Sequence, residues 1–342
     1  MGSGYDAPVG RCLSNAGRTA SFAIILGIYA VAGAAGVAVA SIIKVPTLGE
    51  GDLVPLAKAA VADLVATVVV WLAGIAVNNT STYDPYWSVY TPLAYCFFVL
   101  EEVNLKERDV PLARVILLGV SCWVWAIRLT LNWARDFTGV NHEDFRYVSL
   151  RNESFRAKGH PKALYWILGS FCALMLVPTI LVYLGTVPVF FALSKGVEDD
   201  GASPFNPLDI IACCVSVGAA LIQFVADEQM RRFRKSEHAA GTVMETGLWR
   251  YSRHPNYFGE IMFWFGLYLH ALAADAASFW FTGAGFLAML LLMLFASIPM
   301  MEKRSLQRRP EYARTIETTS RLVPWFRFRA RGVTRVESAS TE

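Results

Sequence analysis

The chain has 342 residues, 55% of them hydrophobic and 17% charged, with a formal net charge of +3 and a mean hydropathy of +0.40. Soluble domains carry roughly a quarter charged residues. This composition therefore argues against a soluble enzyme, a disordered chain or a nucleic-acid-binding one, and for an all-α integral membrane protein.

In chain order, the first twenty residues hold Arg11 and Arg18 but no Ala-x-Ala site. The apolar run after them is long enough to span, so it reads as a retained helix, not a cleaved signal peptide. Apolar runs follow near 21–43, 53–77, 87–100, 112–131, 164–184, 207–226, 258–273 and 278–299. The third is short, and 185–194 prolongs the fifth past Gly185 and Pro188. At roughly 20 residues per span, this predicts seven or eight transmembrane helices. Three segments are basic: 132–162, 228–256 and the tail after 300. The loop at 195–206 carries the acidic Glu198, Asp199 and Asp200, and the hairpin at 274–277 only Asp275. Basic loops face the cytoplasm, so both termini are expected there. The organisation read from this is a cytoplasmic segment over 1–20, one multi-span domain over 21–325 and a basic, partly disordered tail over 326–342. Asn78, Asn79 and Asn152 head N-x-S/T sequons, which this topology leaves unmodified.

The six cysteines, Cys12, Cys96, Cys122, Cys172, Cys213 and Cys214, form no C-x-x-C pair and no His/Cys cluster. They read as small apolar packing residues, with no disulfide framework and no metal site.

A charge inside a span costs roughly 3 kcal/mol on insertion scales, so polar stripes entering the membrane need a reason. Arg128, Asn132 and Arg135 share one helical face, as do Gln223, Asp227, Arg231 and Arg234. Asn256, Glu260 and Trp264 form a third face just after Pro255, where a helix would begin. Singly, each suits interfacial snorkelling or a local ion pair such as Asp227 with Arg231. Three on one leaflet, with Asp144, Arg146 and Tyr147 between, favour a shared anionic ligand, and arginine forks suit phosphate. Lys58 and Asp63 lie five apart in the second span, either as an imperfect pair or with Asp63 on a proton path. The aromatic entrance from Tyr83 through Asp84 and Tyr86 to Tyr90 is either an interfacial belt or a substrate mouth with a proton donor.

The string Gly247-Leu-Trp-Arg-Tyr-Ser-Arg-His-Pro-Asn-Tyr-Phe-Gly-Glu260 resembles the C-terminal domain of the steroid 5-alpha-reductase family, in its branch of poorly characterised membrane proteins. Ala226-Asp-Glu-Gln-Met-Arg-Arg-Phe-Arg234, Trp125–Asn132, Glu143–Tyr147, Ser297–Glu302, Arg309–Tyr312 and Ser320–Pro324 resemble it too. The likeness runs over roughly 70–325 and is strongest from 207 onward. It implies an all-helical membrane enzyme that binds NADPH from the cytoplasmic side and reduces the double bond of a lipid-soluble enone. On matching motifs it places Asp227, Arg231 and Arg234 along the phosphate and ribose side. Asn256, Glu260, Arg253, His254 and Tyr257 fall at the cofactor, and Glu302 and Tyr312 in the tail closing over it. Arg128, Asn132 and Arg146 are further cofactor candidates. The chain has no G-x-G-x-x-G after a strand, so a Rossmann site is not the route. The early-span glutamate that holds the enone in the steroid enzymes has no clear counterpart. Tyr83, Asp84 and Tyr86, with Asp63, are the candidates for its role. A eukaryotic chain of this kind would lie in the endoplasmic reticulum membrane.

The Arg-His-Pro-x-Tyr string is also similar to membrane methyltransferases that use S-adenosylmethionine on isoprenylated or phospholipid substrates. Tyr257-Phe-Gly-Glu260, the second basic stripe and the greater length favour the reductase. A lipid-binding protein without turnover is the third reading, since fold does not fix function.

Overall fold

A computed structural model describes residues 17–44, 53–197, 201–239 and 241–328. The acidic loop triad Glu198–Asp200, Cys12, most of the N-terminal segment and the tail beyond Phe328 lie outside the described residues. Among those described, every regular element is helical.

In order they are α1 (Arg18–Ile42), α2 (Val54–Val77), a 3₁₀ turn (Thr80–Tyr83) and α3 (Tyr86–Phe98), which continues as a π-helix over Val99–Leu105. Next come α4 (Leu112–Asp136), α5 (Phe145–Ser149) with a π-turn to Arg156, and α6 (Lys162–Leu164), which runs through a π segment into α7 (Val177–Ser194). Then follow α8 (Pro207–Lys235), α9 (Pro255–Ala274), α10 (Phe279–Thr282), α11 (Ala284–Leu292), α12 (Ile298–Arg308) and α13 (Tyr312–Thr318). Among the described residues, six helical stretches are long and apolar enough to cross a bilayer: Arg18–Ile42, Val54–Val77, Leu112–Asp136, Lys162–Ser194, Pro207–Lys235 and Ala276–Arg308. The chain is an all-α, multi-pass membrane protein. Two expected spans fall outside the six. Over Tyr86–Leu105 the α-helix gives way to a π-helix carrying Glu101 and Glu102. α9 dilutes its apolar run with Tyr257, Glu260, Tyr268 and His270.

The chain divides into two compact units, residues 1–217 with 263–289 and residues 218–262 with 290–342. The boundaries fall inside α8, α9 and α11, so 263–289 joins the first unit.

In the first unit, α1 and α2 pack closely because both present small residues. A side chain at Gly36 would run into the Ala62 carbonyl. Ala32, Ala66 and Val70 join Tyr83, Tyr86 and Met175 in one buried cluster. α2 stops at Asn78, which takes the left-handed conformation (φ 55°) and returns its N–H to the last turn. Asn79 is 4% exposed. Its side-chain oxygen caps the 3₁₀ turn, and its amide donates to the Val140 and His142 carbonyls at 2.6 and 3.0 Å. That sequon asparagine is fully engaged in the fold.

One buried ion pair pins this unit. Arg114, in the first turn of α4, is fully buried and donates to Asp209 of α8 at 2.8 and 3.1 Å. The same guanidinium donates to the Ser203, Pro204 and Ala273 carbonyls at 3.0–3.1 Å. It thus satisfies the backbone where the loop and the end of α9 meet. Deeper in, Trp125 stacks on Phe263 at 4.3 Å, and Gly185 makes room for Trp264.

In the second unit, Gly259 of α9 lies against the Ala219 carbonyl and Gln223 of α8. Gly247 turns with φ +59°, placing the Leu248 N–H on the Gln229 side chain at 2.9 Å. The indole of Trp249 donates to the Ala226 carbonyl at 3.0 Å. These bonds fix the start of α9 beside α8.

Candidate functional site

The first unit contains an apolar cavity of about 220 Å³ between α1, α2 and α3. Small residues make the space: Gly33, Gly36 and Ala40 on α1, and Ala59, Ala62 and Ala66 on α2. Val37 and Leu93 line it yet are 61% and 54% exposed, so the cavity opens sideways toward where lipid would lie. At one end its polar group is Asp63, which is 2% exposed. The Tyr86 hydroxyl donates to Asp63 Oδ1 at 2.6 Å, while Oδ2 has no hydrogen-bond partner. The hydroxyl of Tyr90, on the same wall, is also without a partner. Tyr86 is held by stacking on Tyr83 at 4.9 Å and lies 6.4 Å from Tyr90. Tyr83 is fixed in turn by a 2.6 Å bond with Thr179.

Sequence reasoning nominated Tyr83, Asp84 and Tyr86 together, and the structure separates them. Tyr86 faces the apolar cavity with Asp63. Tyr83 supports it from behind. Asp84 accepts from the Tyr147 hydroxyl and lines a different, polar cavity. The acid beside Tyr86 is Asp63, in the second span. Lys58 and Asp63 form no pair; Asp63 is taken by the phenol instead.

The polar cavity, about 230 Å³, is lined by Asn79, Ser81, Asp84, Asn132, Asp136, His142 and Asp144, among others. Asn132 does lie there, but three aspartates share the wall. Arg146 is committed to Asp144 at 2.8 Å and sits over the Tyr147 ring. A cavity with this charge suits hydroxyl or amino donors better than phosphate, and Arg128 and Arg146 do not line it. Burial pushes the Asp84 carboxyl up to about 6, against the opposing pull of Arg146 and the Tyr147 hydroxyl. A carboxyl raised in the fold is bound to its proton more tightly there than in the unfolded chain. Its stabilising contribution is complete below about pH 4 and is lost as pH rises through about 6. Asp84→Asn, which keeps the acceptor for Tyr147, should therefore raise the thermal midpoint at pH 7.5, with the gain shrinking toward pH 4.5. An equal gain at both values would contradict the assignment.

The second unit gathers the C-terminal candidates around the start of α9. The Asn256 amide donates to Asp227 at 3.2 Å, and its oxygen accepts the Tyr257 N–H. Arg231 is half-buried one turn further along α8, and Arg234 is exposed. Glu260 is 7% exposed on α9. Arg253 and His254 meet a shared carboxylate. Both reach Glu302 of α12, at 3.0 and 3.2 Å. Arg253 also donates to the Ile316 carbonyl, and its backbone N–H to Ser320. Ser252 holds Leu322 at 2.7 Å, and Tyr251 accepts the Trp325 N–H. The Arg-His-Pro start thus anchors the tail segment that contains buried Tyr312. Burial holds the His254 imidazole below the usual histidine value, opposed by Glu302. Burial pushes the Tyr312 phenol up to about 12.

Some residues escaped sequence reasoning. Glu101 lines the apolar cavity, and Arg114 with Asp209 pins the fold. The available signal was the same in each case: a charged group at or within an apolar run.

The fold and these sites define a multi-pass membrane protein with an acid–phenol pair in a lateral apolar cavity and an amide–carboxylate pair at a helix start. The chain matches the model of the family described as "Protein of unknown function (DUF1295)" over residues 70–319, and it belongs to that family. It is similar to "Uncharacterized protein C594.04c" of Schizosaccharomyces pombe (strain 972 / ATCC 24843), 26% identical over 282 residues, which cover 75% of this chain and 76% of the relative. No solved structure matches it. Asp63 and Lys58 precede the matched region; Tyr86, Asp227, Asn256 and Glu302 fall within it.

Proposed function

We propose that the protein is an NADPH-dependent reductase of a carbon–carbon double bond conjugated to a carbonyl in a lipid-soluble substrate, and that it works in the endoplasmic reticulum membrane if eukaryotic, with its basic loops in the cytoplasm. The observation that carries this is the Asp63–Tyr86 pair in the apolar cavity. A buried carboxyl with one oxygen held by a phenol and the other without a partner is suited to receive a polar group of a ligand. A carbonyl oxygen fits there when Oδ2 carries the carboxylic proton and donates it. It also supplies the role of the early-span glutamate and tyrosine in the steroid 5-alpha-reductase family, which this chain resembles in its C-terminal motifs.

The residues for the nucleotide fit in kind. Asp227 offers a hydroxyl acceptor, Asn256 an amide, and Arg231 and Arg234 offer cations for phosphate. NADPH, when bound, supplies a hydride to the β-carbon of the enone. The protein's part is to hold the carbonyl, stabilise the negative charge that builds on its oxygen, and pass one proton through Tyr86 and Asp63. The proton ends on the substrate, giving the saturated carbonyl compound, and is replaced from solvent. Arg253, His254 and Glu302 fix the tail and the start of α9, and through it the position of Asn256.

The first test is ligand stabilisation in detergent with NADPH, NADH and S-adenosylmethionine side by side. At 100 times its dissociation constant a ligand adds about 2.7 kcal/mol. NADPH is expected to raise the midpoint, and Asp227→Ala and Asn256→Ala to abolish that rise. Stabilisation by S-adenosylmethionine alone would replace the reductase by the methyltransferase. Binding of NADPH without turnover on a broad enone panel would favour a lipid-binding protein.

A further inference from the structure

The apolar cavity has a second polar end that the reduction does not use. α1 and α2 run antiparallel: Gly36 meets Ala62, and Ala32 shares a cluster with Ala66. Extending that register sets Ala40 and Ser41 level with Lys58. All three line the cavity, as does Glu101 on the π-helix that prolongs α3. Along α1 the lining runs from Tyr29 to Ser41, about 18 Å at 1.5 Å per residue. Lys58 lies about 7.5 Å along the axis from Asp63. Its side chain leans toward the N-terminus of α2, away from Asp63.

Lys58 and Glu101 are both half-buried, and neither has an ion-pair partner among the described residues. The adjacent Glu102 is the contrast. It is fully buried and takes both Lys106 and Arg108, at 2.8 and 2.9 Å. The helix therefore turns one glutamate into its own ion cluster and leaves the other at the cavity. A cation and an anion that share one cavity and do not bond each other are complementary to a ligand carrying both signs. A simple anion would satisfy Lys58 but meet Glu101, and a neutral head would satisfy neither charge.

We propose that the cavity takes a single elongated amphiphile with a zwitterionic head, its anion on Lys58 and its cationic or donor group on Glu101, with its apolar body lying along α1 toward Asp63 and Tyr86. The substrate class is then a zwitterionic lipid or lipid conjugate bearing a conjugated carbonyl in its chain. This rests on reading the cavity as the substrate site of the proposed reductase, but its test does not depend on turnover.

The test is native mass spectrometry of the full-length protein in detergent, with three single-chain probes of equal acyl length. These are lysophosphatidylethanolamine, the free fatty acid and the monoacylglycerol. The zwitterion is expected to be retained about tenfold better than the other two. Lys58→Gln should remove that preference, and Glu101→Gln should shift it toward the fatty acid. Asp63→Asn should leave it intact, and midpoints without lipid establish that each variant is folded. Equal retention of the three probes, or an unchanged preference in both charge variants, overturns the proposal. Loss of turnover in Asp63→Asn with no head preference would overturn this inference and leave the reductase standing. A head preference without any NADPH-dependent reduction would do the reverse.

Discussion

Asp63→Asn is expected to lower NADPH-dependent reduction of a lipid enone by about 10²- to 10⁴-fold, the usual range for removing a positioned acid. The amide is nearly isosteric and still accepts from Tyr86, so the 2.6 Å bond that positions the phenol survives. The loss should fall on kcat, and NADPH stabilisation should be unchanged, since Asp227 and Asn256 are untouched. Tyr86→Phe should cost activity too, but with a stability penalty. It leaves a carboxyl that is 2% exposed with neither oxygen partnered, at about 1–3 kcal/mol. NADPH consumption and product formation over a panel of long-chain enones would measure both. An Asp63→Asn protein with wild-type kcat would remove the acid from the mechanism.

Arg114→Met is expected to cost about 3–5 kcal/mol of stability, because it strands Asp209 as a buried charge. It also removes the donor shared by the Ser203, Pro204 and Ala273 carbonyls. The double variant Arg114→Met with Asp209→Leu should recover much of the loss, since an apolar pair of similar volume leaves no buried charge. Denaturant titration in mixed micelles measures the three proteins together. A single-variant loss under about 1 kcal/mol would show that the pair is not the pin described here.

The helical class and the spans were readable residue by residue. Apolar runs of adequate length form helices in a bilayer because only a helix satisfies its own backbone there. Where the runs are diluted, reading by composition falters. The third apolar run is short, ending before Glu101 and Glu102, yet the helix continues to Leu105 in π form. The motif around Arg253, His254 and Asn256 was recognisable, but not the division of labour within it. Only contacts tell that Arg253 and His254 are occupied by Glu302 while Asn256 meets Asp227.

The substrate end shows the limit most clearly. Tyr83, Asp84 and Tyr86 are neighbours in sequence, so they stood as one candidate set. The 3₁₀ turn and the start of α3 send Asp84 toward Tyr147 and Tyr86 toward Asp63, 23 residues earlier. A buried carboxyl inside a span announced itself by its cost alone, without naming its partner. The membrane class, most of the helices and the cost of Asp63 inside a span follow from the residues alone, because those depend on local transfer energies. The pairing of Asp63 with Tyr86, the cavity made by glycines and alanines of α1 and α2, and the charges left facing it were decided by tertiary structure, because helix register brings together residues that sequence spacing keeps apart.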